Sequence, residues 1–253
     1  MKRAWLALLM VVAVTLAGCA GLGLQNEIDR LMEQGQQLYE EKKYDAAIDK
    51  FGTVVTKDPQ HWQAYLWVAR AFIAKGFWSD AIDNGKKALA LAPNKTEVIP
   101  VFAEALFGGG SAALKNGRYA ESVGHFVEYL KLEPGNARAW LNIGMAYLGQ
   151  RQFREALGAL SQGLASGGGA ERSELVRGLL DGGLQAFSSG EYRSAIDLLK
   201  EFLRYDEKNI TAYLNLAKSY WASGELANAF DAYGNVLKLD PRQEEALRFL
   251  LRR

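Results

Sequence analysis

One cysteine, two histidines and five prolines occur in 253 residues. A lone cysteine closes no intramolecular disulfide, so packing alone must hold the fold. His61 and His125 stand apart, with no H-E-x-x-H spacing, and offer no framework for a metal. Charge of either sign is not in excess. The 30 Lys and Arg nearly balance the 29 Asp and Glu, for a formal net charge of +1. That balance excludes the basic footprint of a nucleic-acid binder. Catalytic spacings are missing too: there is no G-x-S-x-G elbow and no Walker sequence. "GGGSAA", residues 108–113, loosely satisfies G-x-G-x-x-A, but no strand precedes it, and it reads as a close helix crossing. These absences predict no enzyme, no metal, no cofactor and no small-molecule substrate.

What is present begins at the N-terminus. Lys2 and Arg3 precede the apolar run "AWLALLMVVAVTLA", which ends on small residues and Cys19. A positive start, an apolar stretch and a small-residue cleavage site make a secretory signal peptide. An ordinary signal peptide, or an uncleaved anchor, with an incidental cysteine is the other reading of the same run. "LAGC", Leu16 to Cys19, resembles a bacterial lipobox. The resemblance implies that residues 1–18 are a lipoprotein signal peptide and that Cys19 is acylated with palmitate-like chains. It makes residues 19–25 a lipidated N-terminus and short tether. Several acyl chains hold a protein on a membrane where one does not. Ala20 stands where Asp would imply inner-membrane retention. The expected location is therefore the cell envelope, on the outer membrane facing the periplasm. Removing the leader leaves 28 basic against 29 acidic residues.

The remainder repeats itself. "YDAAIDKFGTVVTKDPQ" (44–60), "WSDAIDNGKKALALAPN" (78–94), "YAESVGHFVEYLKLEPGN" (119–136) and "LANAFDAYGNVLKLDPR" (226–242) share one skeleton, and Pro59 and Pro93 are 34 residues apart. Six copies align: 28–61, 62–95, 103–136, 137–170, 176–209 and 210–243. Their eighth positions are small: Gly35, Ala69, Gly110, Gly144, Gly183, Ala217. So are the twentieth: Ala47, Ala81, Ser122, Ala156, Ala195, Ala229. The fifteenth, at the inter-helix turn, reads Lys42, Gly76, Gly117, Arg151, Gly190, Gly224. Proline occupies the thirty-second in four copies, and Gly168 and Glu207 replace it in the other two. This pattern resembles the tetratricopeptide repeat, a helix–turn–helix unit.

The resemblance implies an all-α, right-handed superhelical solenoid of six such units over 26–253, with a C-terminal cap at 244–253. Insertions at 96–102 and 171–175 divide it into three two-repeat modules. They are expected to lengthen the following first helices, with Pro100 in a first turn and Ser173 as an N-cap. The first helix is expected to begin near Asn26. In the cap, Leu247, Leu250 and Leu251 are expected to cover repeat six while the charged residues face water.

In this family the first helix of each unit lines a concave surface. The positions so implied are unusually apolar here: Leu66, Phe107, Leu141, Met145, Leu148, Leu180, Leu184, Phe187 and Trp221. They form either a binding groove or the packing between neighbouring helices, and the residues alone leave both open. Asn142 and Asn215, at the sixth position, are candidates to bond a partner's backbone. The carboxylate clamp of chaperone-binding members needs Lys and Asn at the fifth and ninth positions, which this chain lacks. What the resemblance implies is a non-catalytic, lipid-anchored protein-interaction scaffold. Its expected partner is a helix or extended segment of another envelope protein. The chain is similar to pilotin lipoproteins of type IV pili, which have six such repeats and help secretin subunits assemble. An adaptor for outer-membrane protein insertion, cell-wall enzymes or polysaccharide export is the alternative.

Overall fold

A computed structural model of the chain describes residues 23–167 and 169–251. Cys19, the lipobox and the cleavage site lie outside them. The described residues form α-helices joined by short turns, with one 3₁₀ turn (Gly169–Glu171) and no strand. The helices are α1 (23–40), α2 (Tyr44–Lys57), α3 (Trp62–Lys75), α4 (Trp78–Leu91), α5 (Val98–Lys115), α6 (Tyr119–Leu132) and α7 (Ala137–Gly149). They continue with α8 (Phe153–Ala165), α9 (Arg172–Ser188), α10 (Tyr192–Leu203), α11 (Ile210–Ala222), α12 (Leu226–Leu239) and α13 (Glu244–Leu251).

Six helix pairs follow one another, and each is closed the same way. The residue at the fifteenth position adopts a positive φ in every pair: Lys42 (60°), Gly76 (74°), Gly117 (72°), Arg151 (58°), Gly190 (79°) and Gly224 (84°). The next residue turns its N–H back to the carbonyl five residues earlier, at 2.9 Å each time: Lys43 to Leu38, Phe77 to Phe72, Arg118 to Ala113, Gln152 to Tyr147, Glu191 to Ala186 and Glu225 to Tyr220. This 6→1 bond satisfies a carbonyl that the end of a helix would otherwise orphan. Lys42 and Arg151 adopt the left-handed conformation without being glycine.

Within a pair the helices meet at the small positions. A Cβ built on Gly35, Gly110, Gly144 or Gly183 would lie 2.5, 2.9, 2.7 or 2.7 Å from the side chain of Phe51, Phe126, Leu160 or Leu199. Those four bulky residues are fully buried and sit sixteen positions after their glycines. All six residues at the twentieth position are also fully buried. Where this position is Ser122, its hydroxyl donates to the Gly110 carbonyl at 2.9 Å, so the buried oxygen is satisfied.

Entry into the next first helix is capped by a side chain. The N–H of Ala64, Ala139, Ala212 and Ala246 is accepted by His61 Nδ1, Asn136 Oδ1, Asn209 Oδ1 and Gln243 Oε1 respectively, at 2.7–3.2 Å. All four alanines are fully buried. Hence α13 opens as the first helix of a further repeat would. The two pairs that follow insertions have Lys95 and Ala170 at the equivalent place. There α5 and α9 run for 18 and 17 residues, against 13 for α7 and α11.

The chain divides between Gly108 and Gly109, inside α5, into two compact units. Stacked repeats contact only their neighbours, which makes such a division possible. The first unit has its core around Ile28, Leu31, Phe51, Val54 and Val68, with Leu66, Val98 and Val101 in a second cluster. The second unit is centred on Leu160, Leu175, Leu179, Leu198, Leu199 and Val236. Three expectations are corrected. The chain is helical already at Gly23, and Gln25 bonds Asp29 one turn on at 2.8 Å, so Asn26 is inside α1. Ser173 caps nothing, because the 3₁₀ turn leads directly into α9 and Glu171 precedes it without a side-chain bond. In α13, Leu251 is 78% exposed, and the ring that packs inward is Phe249, stacked on Tyr233 at 4.1 Å.

Among the described residues, α5 alone is long and apolar enough to cross a membrane. Half of that stretch is buried, and Gly110 on it seats Phe126, which is how a core helix packs.

The two non-glycine turns give a direct test of this closure. A left-handed residue with a Cβ costs ~1–2 kcal/mol, partly offset by the ~0.5–1 kcal/mol that glycine loses through its freer unfolded chain. Arg151→Gly should therefore raise the unfolding free energy by about 0.5–1 kcal/mol. Gly190→Ala, whose Cβ would meet nothing within 4 Å, should lower it by a similar amount. Urea unfolding of both variants reads the two signs, and equal midpoints would contradict the assignment.

Candidate functional site

The positions expected to form a groove separate into two groups. Leu66 is buried in the first unit's core beside Val98 and Val101, and Leu141 and Leu148 are buried in the second unit's core. Leu148 shows the reason: a Cβ on Gly182 of α9 would lie 2.8 Å from it, so it fills a notch in the next first helix. These three residues are packing and offer no surface to a partner. Phe107, in the first unit, is half-buried. In the second unit Asn142, Leu180, Leu184, Phe187 and Asn215 are half-buried, while Met145 and Trp221 are exposed. The Asn215 amide donates to the Thr211 carbonyl of its own helix at 2.8 Å, which uses one of its two N–H donors.

Phe187 and Trp221 are brought together by a cavity of about 790 Å³ in the second unit. It is bounded by the end of α9, the start of α10, and α11, α12 and α13. Six aromatic rings line it: Phe187, Tyr192, Trp221, Phe230, Tyr233 and Phe249. Phe249 meets three of the others. Trp221 meets it edge-on at 4.9 Å, Phe230 is tilted at 5.2 Å, and Tyr233 is stacked. Phe187 and Tyr192 pair separately at 5.9 Å. Met145 and Leu184 are not part of this lining.

The charges in the lining neutralise one another. Lys218 pairs with Glu245 at 2.9 Å, and Arg248 pairs with Glu244 at 2.9 Å. The cavity thus presents an apolar, aromatic floor with a balanced polar edge. That arrangement suits the apolar side chains of a protein segment. The first unit has a smaller cavity of about 400 Å³, where the Arg70 guanidinium lies over the Trp67 ring at 4.7 Å, beside Gln36 and His61. Among the described residues no group of three or more His, Cys, Asp or Glu is placed to hold a metal ion.

The aromatic floor was only half legible from spacing. Phe230 occupies the twenty-first position, which is apolar in all six repeats (Ile48, Ile82, Val123, Leu157, Ile196, Phe230). That position is buried or half-buried in the first five repeats and 45% exposed in the sixth. Phe249 was signalled by the 34-residue step from Ile210 to Glu244, which makes α13 a repeat start and not merely a polar cap.

Burial also shapes the acid–base behaviour of the floor. The Tyr233 phenol is pushed up to about 12 from 10.0, by burial first and the nearby Glu245 carboxylate second. Tyr220 is raised as well, by burial and then by Glu225 and Asp197. A phenol whose folded-state value is raised contributes stability that is complete below its unfolded value. For Tyr233 that contribution is lost as pH rises from 10 through about 12. Tyr233→Phe keeps the stacked ring and should make the unfolding free energy fall less steeply across this window. An identical alkaline loss in wild type and variant would contradict the assignment.

The model of the family described as "Tetratricopeptide repeat" matches residues 32–96, 107–171 and 180–244. Among curated proteins, the rat (Rattus norvegicus) DnaJ homolog subfamily C member 3 is 27% identical over 199 residues, covering 78% of this chain and 32% of that protein. The chain thus spans about a third of that relative's length. Among solved structures, pilF of Pseudomonas aeruginosa is 18% identical with a TM-score of 0.36, covering 91% of this chain and 100% of that one. PilW, described as a widely conserved type IV pilus biogenesis factor, is 19% identical with a TM-score of 0.38, covering 88% and 98%. With three matches that together span most of its length, the chain belongs to the tetratricopeptide repeat family.

Proposed function

We propose that this protein is a lipid-anchored scaffold of the cell envelope that captures an apolar segment of another envelope protein. As a tetratricopeptide repeat protein it is a protein-interaction scaffold, and such arrays act by holding partners and not by catalysis. The observation that carries the reading is the aromatic cavity around Trp221, where a large indole stands 53% exposed to solvent. Exposed clusters of this kind, rimmed by paired charges, mark interaction sites. The anchor rests on "LAGC" and the apolar run before it.

With a lipobox and six repeats, the partner this reading favours is a secretin subunit of a type IV pilus, delivered to the outer membrane in a pilotin-like manner. The described residues begin only four after Cys19, so a lipidated N-terminus keeps α1 within about 15 Å of the headgroups. Capture then takes place beside the membrane, where the client must insert.

Two experiments test the two halves. Fatty-acid labelling should mark the wild type and not Cys19→Ser, since a hydroxyl does not form the thioether. Equal labelling would remove the anchor from the account. Phe187→Glu combined with Tyr192→Glu places charge on the α9–α10 side of the aromatic cavity, on residues that lie outside α12 and α13. Crosslinking to the secretin subunit in intact cells should fall at least about tenfold, as expected when an interface anchor is lost. Full retention by a folded double variant would contradict the site.

A further inference from the structure

The last repeat is covered differently from the one before it. In repeat five the twenty-first residue, Ile196, is 6% exposed; in repeat six its counterpart Phe230 is 45% exposed. Repeat five is followed by α11 and repeat six by α13, whose Phe249 meets the Phe230 ring at 5.2 Å without covering it. Trp221, Leu226, Phe230 and Leu251 are all exposed on three successive helices.

The charge order of α13 says what fits this face. Its exposed stripe is Glu244, Arg248 and Leu251, at i, i+4 and i+7. Acidic residues stand at its start and a basic one near its end, and the sequence goes on with Arg252 and Arg253. Two such helices side by side repel when parallel. When antiparallel, Glu244 of each faces Arg248 of the other, and both pairs form at once. A surface that complements itself under a two-fold rotation is what an isologous dimer requires. The Glu244–Arg248 pair now made within one helix at 2.9 Å is available for that exchange.

We propose that a second copy of this chain docks on the α12–α13 face, with the two α13 helices antiparallel about a two-fold axis. The contact buries Trp221, Leu226, Phe230 and Leu251 against a second apolar face, and the crossed charge pairs fix its direction. It does not depend on the client reading. Because Trp221 and Phe230 also line the aromatic cavity, self-association and client capture exclude each other at that end of the array.

The test uses the full chain carrying Cys19→Ser, so that neither lipid nor thiol contributes. Sedimentation over a wide concentration series should show a reversible approach to twice the monomer mass. Glu244→Arg and Arg248→Glu each place like charges opposite one another and should weaken the dimer at least about tenfold. An equimolar mixture of the two variants puts Arg against Glu at both contacts and should restore the wild-type constant. Each variant loses the intrahelical pair, and mixing cannot repair that, so recovery reports the intermolecular contact alone. A monomer at every concentration overturns the proposal. So does a dimer indifferent to either reversal, or a mixture that fails to recover.

Discussion

The contact on which this structure depends lies between the eighth residue of each first helix and the twenty-fourth residue of the second. In four of the six pairs a glycine there receives Phe51, Phe126, Leu160 or Leu199 so closely that even a methyl group would overlap. In repeat two both positions are small, Ala69 and Gly85, and Gly85 is met by Phe102 of the following helix. Close approach lets the fully buried twentieth residue pack beside it and, through Ser122, adds a hydrogen bond to the facing helix. The left-handed turn and its 6→1 bond return the chain for this contact. The capped alanine at the third position then starts the next helix. A chain with no disulfide can be built this way because each pair adds its own buried layer.

The same contact decides what is left for a partner. Leu66 and Leu141 at position five, and Leu148 at position twelve where it meets a glycine, are taken up by packing and are core. Apolar surface reappears at repeat six, where Trp221 and Phe230 are exposed beside α13 and join the aromatic floor around Phe249. All six rings of that floor stand on helices, and no special loop was needed to make it.

Much of this was visible in the residues themselves. A 34-residue step, small residues at two fixed positions and glycine at a third placed every helix pair, because each reflects a backbone approach or a backbone angle that few residues permit. Lys42 and Arg151 were legible only through register, since neither is a usual left-handed residue. The capping role of His61, Asn136, Asn209 and Gln243 was hidden by their chemical variety, although one atom of each does the same work. The site was less legible than the fold. An apolar residue on a first helix reads alike whether it faces a neighbour or water, and only the packing separates Leu148 from Trp221.

The close contact is tested most directly by a double-mutant cycle at Gly144 and Leu160. Gly144→Ala alone should destabilise the chain by about 1–3 kcal/mol, because its new Cβ meets Leu160. Leu160→Ala alone should cost about 2–5 kcal/mol, as a fully buried leucine does. With both changes made, the added methyl group finds the space that Leu160 vacated. The account predicts that the pair costs clearly less than the sum of the single effects, with a coupling of about 1 kcal/mol or more. Strict additivity would show that the two residues do not meet, and would contradict the packing on which the array is built.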